Sequence, residues 1–369
     1  MVHSHHHHRM QAPAVPGEAY AALDLGTNNC RVLVAVPDGD TFRVVDSFSR
    51  IVRLGEGMAE TERLSDDAMD RTIEALKTCA TVMERNGITR YHAVATEACR
   101  RAQNGRAFLD RVLTETGLTL EPVTSEREAT LTFAGCHPLL DGDAPFGLVF
   151  DIGGGSTELM WIDQSQAGRP RMTAFHSIPE GVVTLSERFG SDALDEDAYE
   201  TILAHIDPWL ERFDSEVGGS DIARRNDLAM LGTSGTVTTL GALHLGLRRY
   251  DRSRVDGMVI DTASIKNLNA MLAGMTCESR ANHPCIGPER ADLVAMGCAI
   301  LEAVCRRWPV GRIRVADRGI REGLLLGMML EDGRLGTTTT NDPHIPPSAG
   351  PSANPPLGPS LPLTESGAT

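Results

Sequence analysis

Aromatic residues make up only 4% of the 369-residue chain, so a nucleotide base would find few stacking platforms here. Lysine is almost missing. Lys77 and Lys266 are the only two, and nearly all positive charge is arginine, whose planar fork grips a phosphate at two points. The codon bias of a GC-rich genome would produce the same preference. Positive charge is also short overall, with 50 acidic against 35 basic residues and a net charge of −15. That balance excludes nonspecific binding to nucleic acid or an anionic membrane over the whole surface, so a polyanion must meet a local basic patch. No apolar run approaches the roughly eighteen residues of a membrane span. The eight cysteines form no CxxC pair and do not cluster with histidine, which argues against zinc.

The opening MVHSHHHHRM is an expression tag, and the stretch from about Gly336 is rich in Thr, Pro, Ser and Gly. Residues 1–18 and 333–369 are accordingly expected to be disordered. The remainder, roughly 310 residues, is enough for two domains. The turn-rich Pro138 to Pro145 separates 19–137 from 138–332, with a last helix at 320–332 that can pack back on the first domain. No secretory segment precedes Tyr20, so a cytoplasmic protein is expected. The oligomeric state stays open, a homodimer included.

What the chain does have is one hairpin written twice. FDIGGGSTEL, Phe150 to Leu159, runs from an apolar strand through Asp151 and three glycines, Gly153, Gly154 and Gly155, into a second strand. Glycines let a backbone approach a ligand closely, and successive turn N–H groups can face an anion. Asp151 and Glu158 place two carboxylates beside it, oxygen ligands that suit Mg²⁺. An ordinary glycine hairpin would look the same. YAALDLGTNNCRVLVAV, Tyr20 to Val36, repeats the pattern, and setting Asp24 on Asp151 puts Gly26 on Gly153 without a gap. The two suggest related half-molecules that offer phosphate turns to a shared cleft.

Elsewhere, strands alternate with helices, which means mixed sheets covered by helices. A third strand is expected over Thr41 to Phe48. Ser65 is placed to cap a helix whose apolar stripe, Met69, Ile73, Leu76, Ala80 and Met83, ends near Gly87. Tyr91 to Thr96 and Leu120 to Thr124 read as strands, Arg106 to Thr116 as a helix, and Glu97 to Gly105 as a loop carrying Arg100, Arg101 and Asn104. A helix starting at Ser125 carries Glu128 in its first turns, where an acidic residue also serves the helix dipole. Helices are expected over Asp197 to Phe213 and Pro288 to Trp308. In LGTSGTVTTL, Leu231 to Leu240, a turn of Gly232, Thr233, Ser234 and Gly235 opens a helix, a site for anions.

Taken in order, DLGTNNCRVLVA, ATEACRRAQNG, TSEREATLTFAG, FDIGGGSTEL, LGTSGTVTTL, PERADLVAMG and ADRGIREGLLLG resemble the exopolyphosphatase/guanosine pentaphosphate phosphatase family, from about Tyr20 to Leu330. It is similar to a short form, without the extra helical domains that longer members carry after the last motif. The resemblance implies an α/β fold of two ribonuclease-H-like domains, as in actin and the acetate and sugar kinases, flanking a phosphate-binding cleft. By position it implies a first phosphate loop of Gly26, Thr27, Asn28 and Asn29 with Arg31, and a second of Gly153, Gly154, Gly155, Ser156 and Thr157. Arg100 and Asn104 would grip phosphate from the side. Glu128 would orient and deprotonate the attacking water, and Asp24, Asp151 and Glu158 would be the carboxylates linked to Mg²⁺. Ser125, Glu126 and Arg127 stand where the family usually has glycine, any residue and glutamate.

The expected activity is Mg²⁺-dependent hydrolysis of the terminal phosphoanhydride of inorganic polyphosphate, or of guanosine pentaphosphate, with neither nucleic acid nor membrane as partner. A kinase of the same fold and a non-enzymatic actin-like binding protein are the rivals. An acceptor requirement for ATP consumption would mark the kinase, and Glu128 argues against the pure binder, which has no need of a base at that place.

Overall fold

In the computed structural model of the protein, residues 18–140, 143–166 and 170–336 are described; the tag and all but the first residues of the tail read from the sequence lie outside them. The first sheet holds β1 (Tyr20–Leu25), β2 (Asn29–Asp38), β3 (Thr41–Ile51), β4 (Arg90–Ala95) and β5 (Glu121–Pro122), in spatial order β3-β2-β1-β4-β5. The second holds β6 (Phe146–Ile152), β7 (Thr157–Asp163), β8 (Arg171–Ile178), β9 (Leu228–Thr233), β10 (Val259–Asp261) and β11 (Arg312–Val315), in order β10-β11-β9-β6-β7-β8. Pairing β6 with β1, β7 with β2, β8 with β3, β9 with β4 and β11 with β5 superimposes the two orders, with β10 added at an edge. The directions agree as well. β1 and β6 each run antiparallel to the following strand and parallel to β4 and β9. This is the two-domain ribonuclease-H-like α/β fold expected from the sequence.

Strand parity decides what each face meets, because successive side chains point to opposite sides. Ala21, Leu23 and Leu25 join one core with helix Asp66–Arg85, while Tyr20 and Ala22 join a second core with Leu324, Leu325, Met328 and Met329 of helix Ile320–Glu331. In the second sheet Leu148, Phe150 and Ile152 face the large core. Val149, Met160 and Ile162 instead face Ala129, Phe133 and Cys136 of helix Ser125–Cys136. The last helix of the chain therefore lies on the first sheet, and a helix from the first half lies on the second.

Those two helices cross with almost nothing between them. A Cβ on Gly135 would sit 2.2 Å from Gly319 O, and one on Gly323 would sit 2.0 Å from Leu131 O. Backbone meets backbone, so side-chain rotation cannot make room.

Local differences from the sequence reading have local causes. Ser65 caps its helix as expected, accepting from Ala68 N at 3.3 Å. The strand expected over Leu120 to Thr124 shrinks to Glu121–Pro122, since Pro122 has no N–H for the ladder. The loop expected from Glu97 begins with a short helix, Glu97–Arg101. The helix expected from Pro288 starts only at Val294. Among the described residues no helix is long and apolar enough to cross a membrane.

Gly323→Ala is expected to destabilise the protein by about 1–3 kcal/mol, the range for overpacking. Gly327→Ala, in the same helix with nothing within 4 Å of its added Cβ, is expected to stabilise by about 0.5–1 kcal/mol. Denaturant unfolding of both variants checks the pair, and equal midpoints would mean the crossing has slack.

Candidate active site

Each sheet carries its glycine turn at the same place, closed by the same bond. Gly26 N donates to Asn29 O at 2.8 Å, and Gly153 N to Ser156 O at 2.9 Å. Both turns are held from behind by their carbonyls. Thr27 O accepts from Gly55 N (3.0 Å), and Asn28 O accepts from Val52 N (2.9 Å) and Arg53 N (3.1 Å). Gly153 O and Gly154 O accept from Val182 N (3.0 Å) and Val183 N (2.8 Å), the first residues of helix Val182–Phe189. A planar trans peptide points its N–H opposite its C=O, so the N–H groups of Asn28, Gly154 and Gly155 face away from these supports. The turns also approach one another. A Cβ on Gly154 would lie 3.1 Å from Thr27 Cβ and 3.2 Å from Asn28 N, and one on Gly155 would lie 2.9 Å from Thr27 Oγ1.

Parity directs four polar side chains to the inner faces. Asp24 and Arg31 are partners across β1 and β2, and Asp151 and Glu158 across β6 and β7. Glu128 joins them from helix Ser125–Cys136, whose cap, Thr124, accepts from Arg127 N at 3.1 Å. Burial first, then the charge of Glu158, pushes the Glu128 carboxyl well above the usual carboxylate range, with Arg100 acting against the shift. Glu158 is pushed up to about 8, by burial and then by Asp151, although the hydroxyls of Ser156 (2.7 Å) and Ser177 (3.0 Å) donate to it. Burial also raises Asp24 and Asp151, each opposed by Arg31. Arg100 spans the site edge. It donates to Val123 O (2.7 Å) and Glu128 Oε2 (3.3 Å), and its other arm holds Glu97.

The touching turns divide the cleft into two chambers. One, of about 70 Å³, is lined by Asn28, Asn29, Arg31, Gly153, Gly154, Ser234, Gly235 and Arg290 among others and has no acidic residue in its wall. Ser234 opens helix Ser234–His244 with a left-handed φ of 80°, a conformation a non-glycine residue keeps only where its surroundings hold it. The other chamber, of about 290 Å³, is lined by Thr27, Gly155 and two arginines, Arg101 and Arg188, but also by Glu60, Glu97, Glu180 and Glu187. One side is basic and the other mixed, with more acid than base.

Residues 32–332 match the Ppx/GppA phosphatase family. The chain belongs to that family. It is 31% identical over 327 residues to exopolyphosphatase 2 of Mycobacterium tuberculosis, covering 84% of this chain and 98% of the relative. Among solved structures, the PPX-GPPA enzyme of Aquifex aeolicus is 29% identical, with a TM-score of 0.68 over 84% of this chain and 98% of that one. An exopolyphosphatase from Cytophaga hutchinsonii, 23% identical, shares the fold with a TM-score of 0.75 over 85% of this chain and 98% of that one.

Of the residues the Ppx/GppA resemblance picked out, Gly26, Thr27, Asn28, Asn29, Gly153, Gly154 and Gly155 form the two turns, and Arg31, Ser234 and Gly235 line the basic chamber. Asp24, Glu128, Asp151 and Glu158 gather on the inner side. Six picked residues have other work. Arg100, expected to grip phosphate, gives its arms to Val123 O, Glu128 and Glu97. The Asn104 carboxamide is turned to the loop, accepting from Leu64 N and donating to Leu64 O, both at 2.9 Å. The Ser156 hydroxyl serves Glu158. Thr157, fully buried, donates to Glu180 O at 2.8 Å, and Thr233 donates to Arg318 O. Gly232 makes room for a ring, since a Cβ there would lie 2.5 Å from Phe150 Cζ. Two residues were missed. Glu97 precedes Arg100 by one helical turn, a pairing hidden once the segment is read as a loop, and Arg290 stands within PERADLVAMG.

Gly154→Ala is expected to lower kcat/KM by about tenfold or more while the unfolding midpoint stays nearly constant, because the added methyl presses on the opposite turn rather than on a core. Steady-state kinetics and thermal unfolding together test this; unchanged kcat/KM would mean the turns need not approach during turnover.

Proposed function

We propose that the protein is a Mg²⁺-dependent exopolyphosphatase that hydrolyses the terminal phosphoanhydride bond of inorganic polyphosphate and releases orthophosphate. The basic chamber supports this substrate best, because its wall offers arginine, hydroxyl and backbone groups and no aromatic ring. A bare phosphate chain asks for charge and donors, whereas a guanine base asks for a flat partner. The relatives named exopolyphosphatase, including the Mycobacterium tuberculosis protein, point the same way.

Phosphoryl transfer needs charge neutralisation and an aligned nucleophile more than covalent help. The N–H groups of the two turns hold the terminal phosphate, and Arg31 and Arg290 hold the remaining chain. Glu128 takes the proton of the attacking water, and Arg100, which acts against the raised pKa, favours the ionised carboxylate that this step needs. As the water oxygen bonds to phosphorus, the bridging P–O bond breaks and its electrons go to the shortened chain. Arg100 keeps Glu128 in place from the side.

Mg²⁺ fits the carboxylates on two grounds. Asp151 Oδ1 is buried without a hydrogen-bond partner, and burial holds Asp24, Asp151 and Glu158 away from their ionised forms, with Asp24 adding to the shift of Asp151 and Asp151 to that of Glu158. Among the described residues no group of three or more His, Cys, Asp or Glu is arranged to hold a metal by itself. Mg²⁺ does not require one, since it commonly binds through one or two carboxylates, waters and substrate phosphates. Asp151, with Asp24 or Glu158, would hold it, and it would neutralise charge on the phosphate oxygens.

Phosphate release from polyphosphate and from guanosine pentaphosphate, each as sole substrate, is the direct test, and turnover of guanosine pentaphosphate alone overturns the substrate assignment. Glu128→Gln is expected to lower kcat by about 10²–10⁴ with KM nearly intact; near wild-type turnover removes Glu128 from the chemistry. Asp151→Asn is expected to shift the Mg²⁺ activation curve to higher concentration, because a carboxamide keeps the shape and loses the charge that holds a hard cation. An unmoved Mg²⁺ titration would make Asp151 structural.

A further inference from the structure

One cross-cleft contact is not used by the chemistry above. The Arg53 fork grips Asp292 with both arms, NH1 to Oδ2 at 2.7 Å and NH2 to Oδ1 at 3.1 Å, and also reaches Glu289 O at 3.4 Å. Arg53 follows β3, on the edge of the first sheet; Asp292 lies just before helix Val294–Arg307 of the second half. Their sequence separation is 239 residues.

Both ends of the pair are tied to phosphate-facing groups. Arg53 N, with Val52 N, donates to Asn28 O, so this loop is the support behind the first turn. The loop is braced in turn by Arg71, which donates to Val52 O at 2.7 Å and to Glu56 at 3.0 Å. At the other end, Asp292 stands two residues after Arg290, in a segment of turns where Leu293 N and Val294 N donate to Arg290 O. Ser186, on the helix that backs the second turn, donates to Asp292 O at 3.1 Å. This ion pair thus joins the support of the first turn to the segment that carries Arg290 over the basic chamber, beside a second link in which Gly57 N donates to Glu187 Oε1 at 2.8 Å on the helix behind the second turn.

Arg53 also holds a left-handed φ of 49°, one of four non-glycine residues to do so among the described residues. Left-handed backbone strains a residue that carries a Cβ, and glycine would remove that strain. Arginine here is a poor choice for the loop and a good one for the bidentate contact.

We infer that Arg53 and Asp292 are positioning residues that set the spacing between the first phosphate turn and Arg290, and so the grip on the phosphate chain in the basic chamber. The inference rests on the reading that polyphosphate occupies that chamber. With the pair broken, Arg290 and the Asn28 turn are no longer held in register, and binding suffers before chemistry, since neither residue touches the reacting atoms.

The test is the kinetics of Arg53→Gly, Asp292→Asn and the double variant on polyphosphate, with thermal unfolding of each. Arg53→Gly suits the backbone, so its midpoint is expected to match or exceed the parent's while KM rises about fivefold or more and kcat stays within about twofold. The double variant is expected to be no worse than the poorer single one, because both remove the same contact. An unchanged KM in Arg53→Gly, or single effects that multiply in the double variant, overturns the inference. So does a kcat loss with KM constant. If Asp292→Asn does not fold, Arg53→Gly and Arg53→Lys carry the test, with KM for Lys expected between those of the parent and Gly because charge is kept and the fork is lost. Parent protein that fails to cleave polyphosphate refutes the substrate reading instead, so the two failures are distinct.

Discussion

Four carboxyl groups taken largely out of water, with repulsion among them added to the cost of burial, set the constraint on this site. Asp24, Glu128, Asp151 and Glu158 share one poorly solvated region; Asp24 raises the pKa of Asp151, Asp151 that of Glu158, and all three that of Glu128. Such an arrangement costs folding free energy and persists where function requires it. Much around it reads as compensation. Arg31 and Arg321 act on Asp24, Arg100 on Glu128, Ser156 and Ser177 on Glu158, and Ser234 on Asp151. The compensation is incomplete for Asp151, whose Oδ1 has no partner. On the proposed function, a divalent cation bound with a polyanion would supply the missing positive charge and the extra oxygens together.

The duplication explains how the region came to be lopsided. At matching places in the two hairpins, one across from Asp24 and the other across from Asp151, stand Arg31 and Glu158. The same backbone position thus offers a cation on one side and an anion on the other. Strand order, direction and turn closure are otherwise shared between the two halves.

Much of this could be read in the chain because it rests on short-range rules. Alternation fixes strand faces, glycine with Asp marks the turns, and Ser65 announces its helix. Glu128 was found by position, through the resemblance, and its burial beside Arg100 gives that position a physical reason. What stayed hidden depends on the far side of the chain. Whether the hydroxyls of Ser156, Thr157 and Thr233 face a ligand or a protein acceptor is decided by strand neighbours, and so is the choice of Gly232 beside Phe150. The last helix was expected to be able to pack back on the first domain and does so, but the place of Ser125–Cys136 on the second sheet was out of reach, since that helix was read as part of the first domain. Arg290 came from a segment expected to be helical, where an exposed arginine has no special meaning.

The glycine crossing of helices Ser125–Cys136 and Ile320–Glu331 has a mechanical consequence. Two bare backbones in contact cannot be pressed closer, and no side chain lies between them to be compressed or rotated. Any movement of one sheet against the other that preserves this contact is a rotation about it. Glu128 sits three residues from Leu131 at the crossing, about 4–5 Å along the helix, so it travels on a short radius. Groups far from the crossing swing through wider arcs. Glu128 is mounted at the axle, and Arg53, Asp292 and Arg290 are mounted toward the rim.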